Sequence, residues 1–218
     1  MSVLHHWVGS LSTYYVAYPL LTCGLGRFST RFAALDEEKQ AYVVSNALKA
    51  SVLAGLTVVH GERLLAIVRD GKWDSGVLML CAPWYSSLDL ISLLRVKKMM
   101  RSTMMHHLLA GVCGAYVSVT PVEEATVSGH ICVYALFSSL AFFVNGFLAA
   151  RHLSDSSRMQ TVARLCGAGY AGVCAAHWGF HAQSIARFPA QLWPLPLLFA
   201  GFVNDDMVLM KWLFKYRA

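Results

Sequence analysis

Residues 84–109 read WYSSLDLISLLRVKKMMRSTMMHHLL, and the fold turns on how this stretch is interpreted. An apolar segment carries one carboxylate, Asp89, and runs into a basic turn holding Arg95, Lys97, Lys98 and Arg101. The next apolar segment opens on an adjacent histidine pair, His106 and His107. Read as two membrane spans joined by a short loop, the stretch buries an acid in one span and sets two imidazoles at the mouth of the next. Ionisable groups at such depth are costly to desolvate and mark function by default.

The composition around it fits a membrane. The chain of 218 residues is 56% hydrophobic and 14% charged, with mean hydropathy +0.50. Soluble domains carry about 25% charged residues, so a water-soluble globule is disfavoured. The length suits one domain. The first residues, MSVLHHWVGS, lack the basic start of a signal peptide and the Arg- and Ser-rich pattern of a transit peptide. The six cysteines lie in apolar runs without a CxxC, which reads as small buried hydrophobes rather than a disulfide frame.

A span needs ~20 apolar residues to cross about 30 Å of hydrocarbon. Seven runs approach that length, at 3–25, 41–60, 76–94, 104–120, 126–150, 163–186 and 193–213. The first is polar around residues 10–15, and 64–68 suits an interfacial helix, so six spans is the competing count. The expectation is an all-α polytopic bundle of seven (or six) transmembrane helices. One side of it holds Arg27, Arg31, Lys39, the 95–101 turn, Arg151, Arg158, Arg164, Lys211, Lys215 and Arg217. The other holds Arg63, Arg69, Lys72 and Arg187. This bias places the C-terminus on the cytosolic or matrix side. The net charge of +6 is therefore topological and gives no reason to invoke nucleic acid.

With that topology, polar residues converge on the basic half of the bilayer. Asn46 and Lys49 lie within the second span, Asp89 near the basic end of the third, and Asn145 near that of the fifth. Asp205 and Asp206 lie about two turns from the end of the seventh. A polar pocket open to the basic face follows, with Lys49 paired to Asp89, Asp205 or Asp206. The competing account is that the same charges only lock helices together. His177 and His181 stand i, i+4 nearer the opposite face, a weak metal candidate, since His60 and His130 are third ligands by depth alone. Helix–helix hydrogen bonding suits them better. Small residues Gly167, Ala171, Ala175 and Gly179 in the sixth span suit close helix packing within the bundle.

In motif order the chain resembles the TLC-domain family, the membrane domain of ceramide synthases and their relatives. The matching elements are DEEKQAYVVSNALKASV (36–52), WYSSLDLISLL (84–94), MMHHLLAG (104–111) and FFVNGFL (142–148). The likeness covers most of 36–217, with 1–35 as an extra N-terminal span and loop in a single domain over 1–218. It implies six or seven helices enclosing an acyl-chain cavity. In the synthases the histidine pair, with acids on the following span, serves acyl transfer from coenzyme A to an amine. On this chain the resemblance would make Asp89, His106 and His107 catalytic. It would line a headgroup or coenzyme A mouth with Arg95, Lys97, Lys98 and Arg101. Asn46, Lys49, Asn145, Asp205 and Asp206 would form the lipid pocket.

One departure decides between two functions. Where the synthases carry an acidic pair, residues 138–145 read SSLAFFVN, with neither acid nor proline. The expectation is thus a lipid-binding, non-catalytic accessory subunit of a larger membrane complex, with other membrane subunits as partners. A bound phospholipid or acyl chain is then its only small-molecule companion, and no metal is expected. The alternative is an acyltransferase using acyl-coenzyme A. The organelle is mitochondrial inner membrane or endoplasmic reticulum.

Overall fold

The computed structural model describes residues 3–217, and among these every regular element is helical. The helices are α1 (Val3–Phe28), α2 (Thr30–Ala33), α3 (Glu37–Asp70), α4 (Ser75–Arg95), α5 (Arg101–Val117), α6 (Val127–Ser139), α7 (Phe142–Ala150), α8 (Met159–Arg187), α9 (Pro189–Leu192) and α10 (Leu195–Lys215).

Their ends are written locally. The Asp36 carboxylate accepts from the Lys39 backbone N–H at 2.8 Å to start α3, and Glu37 and Glu38 follow in its first turn. Acids there complement the helix dipole. That backbone hydrogen bond also holds the Asp36 carboxyl below the usual carboxylate range. Gly71 stops the helix at φ +63°, its N–H bonded to the Ile67 carbonyl and that of Lys72 to Ala66. This left-handed conformation is natural to glycine. Asp74 and Thr126 cap α4 and α6 in the same way as Asp36. The 64–68 run is not a separate interfacial helix, because α3 continues through it unbroken to Asp70.

Each of the seven apolar runs falls on helix, but membrane-crossing character is narrower than that. Among the described residues α3 and α4 are long and apolar enough to cross a membrane, and α6 with α7 adds a third candidate as a broken span bent by 47°. The other long helices dilute their apolar length: α8 carries Arg164 and two histidines, and α10 carries Asp205, Asp206 and Lys211. α5 has 17 residues, roughly 26 Å of rise.

The expected uninterrupted run at 126–150 is the element the structure changes most. Its break falls at residues 140–141, where there is no proline or glycine. Ser139 Oγ donates to the Leu136 carbonyl at 2.7 Å, and Leu140 and Ala141 bond back three residues rather than four. Back-bonding by serine bends helices. Thr57 of α3 donates to Ser139 Oγ at 3.1 Å, which fixes the bend against its neighbour.

α4 is the hub, packing against α1, α3, α5 and α6. Its serines reach different partners. Ser87 shares a 2.7 Å hydrogen bond with Ser10 of α1, Ser92 one of 2.7 Å with Ser45 of α3, and Ser86 donates to the Ala110 carbonyl of α5 at 3.0 Å. Small hydroxyl residues let apolar helices approach closely while satisfying one another.

Polar links also define the two ends of the bundle. At one end Lys98 meets Glu38 at 2.8 Å, Arg31 pairs with Asp155, and the Tyr42 and His152 rings touch. At the other, Trp7 Nε1 donates to Ser118 at 2.8 Å, and Arg187 meets Glu124 at 2.5 Å. The basic turns at 95–101 and 151–158 thus share an end with the start of α3. Between the ends the outer faces are strongly apolar: Leu20, Val58, Leu165 and Leu197 are all largely exposed. Gly167 of the small-residue row packs on Leu213 and Phe214 of α10, whereas a Cβ at Gly179 would meet nothing.

The tightest approach to backbone is at the start of α6, where a Cβ on Gly129 would lie 2.1 Å from the Glu123 carbonyl oxygen and 3.1 Å from Trp73. Gly129→Ala is expected to destabilise by about 1–3 kcal/mol through overpacking against backbone. Gly172→Ala, whose Cβ meets nothing within 4 Å, should leave stability unchanged or raised. Thermal unfolding of both variants in one detergent checks the contrast; equal midpoints would remove the packing claim.

Candidate functional site

Sequence spacing brings the site together. On α3, Tyr42, Ser45, Asn46, Lys49 and Leu53 follow a single helical stripe, as do Tyr85, Leu88, Asp89 and Ser92 on α4. α5 contributes Thr103, His106 and His107, α7 contributes Val144, Asn145 and Leu148, and α10 contributes Asp205, Asp206, Leu209 and Trp212. These stripes enclose a cavity of about 390 Å³, with Tyr134 of α6 and Tyr170 of α8 closing its inner wall. Lys98, Met99, Met100 and Arg151 bring it to the basic end.

At its centre Asp89 Oδ1 accepts two bonds, from Lys49 Nζ at 2.6 Å and from His107 Nδ1 at 2.6 Å. All three side chains are largely buried, at 6% exposure for Asp89, 13% for Lys49 and 8% for His107. The Lys49 ammonium also lies 3.3 Å from His107 Nε2 and 3.4 Å from its Nδ1, beside the ring rather than in line with either nitrogen. A buried charge of each sign is therefore met by a partner. His106 is held differently. Its ring packs edge-on against His107 and Phe202, and its Nδ1 lies 3.4 Å from Asp205 Oδ2 without forming a hydrogen bond. Thr103 donates to Asp205 at 3.3 Å, while Asp206 accepts from Tyr170 at 2.7 Å and from Tyr134 at 3.5 Å.

Asn46, Lys49, Asp89, His106, His107, Asn145, Asp205 and Asp206 all line this cavity. Of the basic turn, Lys98 alone does so. Arg95 turns away, its guanidinium 4.9 Å from the Tyr15 ring and 5.3 Å from Tyr18 on α1, and Lys97 and Arg101 are exposed. His177 and His181 lie elsewhere in the bundle. His130 Nε2 donates to the Glu124 carbonyl at 2.9 Å, and its Nδ1 lies 3.1 Å from His181 Nδ1. His177 stacks obliquely on Tyr134, 4.9 Å between ring centres.

The candidate metal-ligand set lies instead at the cavity: Asp89, His106 and His107 offer ligand atoms all within 4.8 Å of one another. The chemistry of the donor set argues against a resident ion, because the Lys49 ammonium already sits as the cation on Asp89. A divalent metal there would have to displace it.

Sequence reasoning missed Tyr42, Tyr85, Arg151 and Trp212. Three of them carried a usable signal. Tyr42 stands four residues before Asn46, Tyr85 four before Asp89, and Trp212 seven after Asp205, so each continues a stripe already marked by a polar residue. Arg151 gave none, since it follows the end of α7 and reads as a loop charge.

Compared with models of known families, with curated proteins and with solved structures, the chain matches none.

The buried pair makes a stability test. Lys49→Met or Asp89→Leu alone strands a buried partner and is expected to cost about 3–5 kcal/mol. The double variant should lose less than either single one, read as unfolding midpoints in detergent. Strictly additive losses would mean that the two charges do not stabilise each other.

Proposed function

We propose that this protein is an integral membrane helical bundle of TLC-like architecture, spanning seven times, whose cavity binds a lipid from the basic face. The observation that carries this reading is the cavity itself. Its charged groups lie from the centre of the bundle toward the basic end, within outer faces that are apolar, while Leu53, Leu88, Val144 and Leu148 supply apolar wall. Such a shape takes an amphiphile with its polar part at the charged end. Exposed large apolar side chains around the bundle are what lipid contact requires and what a soluble monomer avoids. The basic end then faces the cytosol or an organellar matrix, with the C-terminus on that side.

Binding is favoured over turnover by the state of His107. Its Nδ1 lies 2.6 Å from Asp89 and the Lys49 ammonium stands 3.3–3.4 Å from both ring nitrogens, so the ring is held inside an ion pair that a general base would first have to leave. The central polar set satisfies itself. This suits a non-catalytic accessory subunit of a membrane complex, holding lipid as part of its structure.

One observation favours the acyltransferase alternative. His106 Nδ1 is buried and unbonded 3.4 Å from Asp205, which would orient the ring if the pair tightened around a substrate.

Native mass spectrometry of the protein gently released from its own membrane, with lipid identification, tests the proposal. Retained lipid together with co-purifying membrane subunits is the expected result. A lipid-free monomer would contradict it, and a covalent acyl adduct on His106 would select the enzyme.

A further inference from the structure

Three basic side chains line the cavity, and two are neutralised: Lys49 by Asp89 at 2.6 Å and Lys98 by Glu38 at 2.8 Å. Arg151 differs. Among the described residues no carboxylate lies within 4.0 Å of it, and its Nε is buried with no hydrogen-bond partner. Its guanidinium packs against two aromatic rings that also line the cavity, with Cζ 4.5 Å from the Trp212 centroid and 5.3 Å from that of Tyr42. Its guanidinium also reaches the Tyr42 hydroxyl, and the donor left buried without a partner is Nε.

The carboxylates of the cavity, by contrast, already have company. Asp89 takes Lys49 and His107, Asp206 takes Tyr170 and Tyr134, and Asp205 takes Thr103 with His106 nearby. Asp205 and Asp206 meet neutral hydroxyls, so what sets Arg151 apart is geometric: among the described residues it is the one lysine or arginine of the cavity without a carboxylate partner, and its buried Nε donor is open to an anion.

The geometry points to Arg151, clamped between Tyr42 and Trp212, as the receptor for a phosphate group on the cavity's ligand. A planar fork of donors matches the oxygens of a phosphate, and the position at the basic end suits a headgroup whose chains lie along the apolar wall. This rests on the lipid-binding reading above and narrows it to phosphate-bearing lipids.

The test offers the purified protein mixed micelles containing dioleoyl phosphatidate and dioleoylglycerol, which share acyl chains and differ in the phosphate. Occupancy is read by native mass spectrometry. Wild-type protein is expected to retain phosphatidate roughly ten-fold more than dioleoylglycerol, as one charge-assisted contact allows. Arg151→Gln should abolish that preference and Arg151→Lys recover part of it, with dioleoylglycerol occupancy the same in all three. Inorganic phosphate supplies the second arm. If it raises the unfolding temperature of wild type but not of Arg151→Gln, and phosphatidate gains nothing over dioleoylglycerol, the phosphate comes from a soluble ligand and the restriction to phospholipids is overturned. Equal retention of the two lipids by wild type, with no response to phosphate, overturns the anion site, and this result needs no variant to fold. Loss of both lipids with the phosphate response intact would remove the lipid reading and leave the site standing.

Discussion

The interaction on which the rest depends is the meeting of Lys49 and His107 on one oxygen of Asp89. It joins α3, α4 and α5 at the centre of an apolar bundle, where an unpaired charge would be severely penalised. Once this set is fixed, other features follow. α4 must lie close to both neighbours, which its serines permit, and Asp205 and Asp206 of α10 complete the polar wall from the far side. The cavity is the space these groups enclose with the aromatic residues around them.

The bend between α6 and α7 belongs to the same design. A straight helix over 127–150 would carry α7 along the axis of α6. The back-bonded Ser139, held by Thr57, redirects it by 47° so that α7 packs along α3. That turn brings Asn145 to the cavity and delivers Arg151, just past the end of α7, to Tyr42 and Trp212. Serine and threonine thus do here what proline does in bent membrane helices, with the freed backbone groups still partnered.

Much of this was legible in the residues. Apolar run lengths located the long helices, and the cost of burying charge singled out Asp89, Lys49 and the histidine pair before any geometry was known. The basic turns predicted which ends share a side, and the ends of the bundle are linked accordingly through Lys98–Glu38 and Arg31–Asp155. What escaped was of a different kind. The 140–141 break depends on the Ser139 hydroxyl choosing a carbonyl three residues back, which leaves no trace in hydropathy. Arg95 turned to the aromatic rings of α1 rather than to the cavity, and only the packed position of α1 decides that. Membrane-crossing character was the least transferable inference. Asp205 and Asp206 line the cavity, and in doing so lower the apolarity by which α10 would be recognised as a span.

The central claim is that an acyl chain occupies the cavity rather than merely bathing the outside of the bundle. Photocrosslinking with a phospholipid carrying a photoreactive group in its acyl chain, followed by peptide mapping of the membrane-embedded protein, addresses it directly. The account predicts adducts on inward positions such as Leu53, Val144 and Leu148, over and above those on outward positions such as Val58 and Leu165. Adducts confined to the outward positions would contradict it.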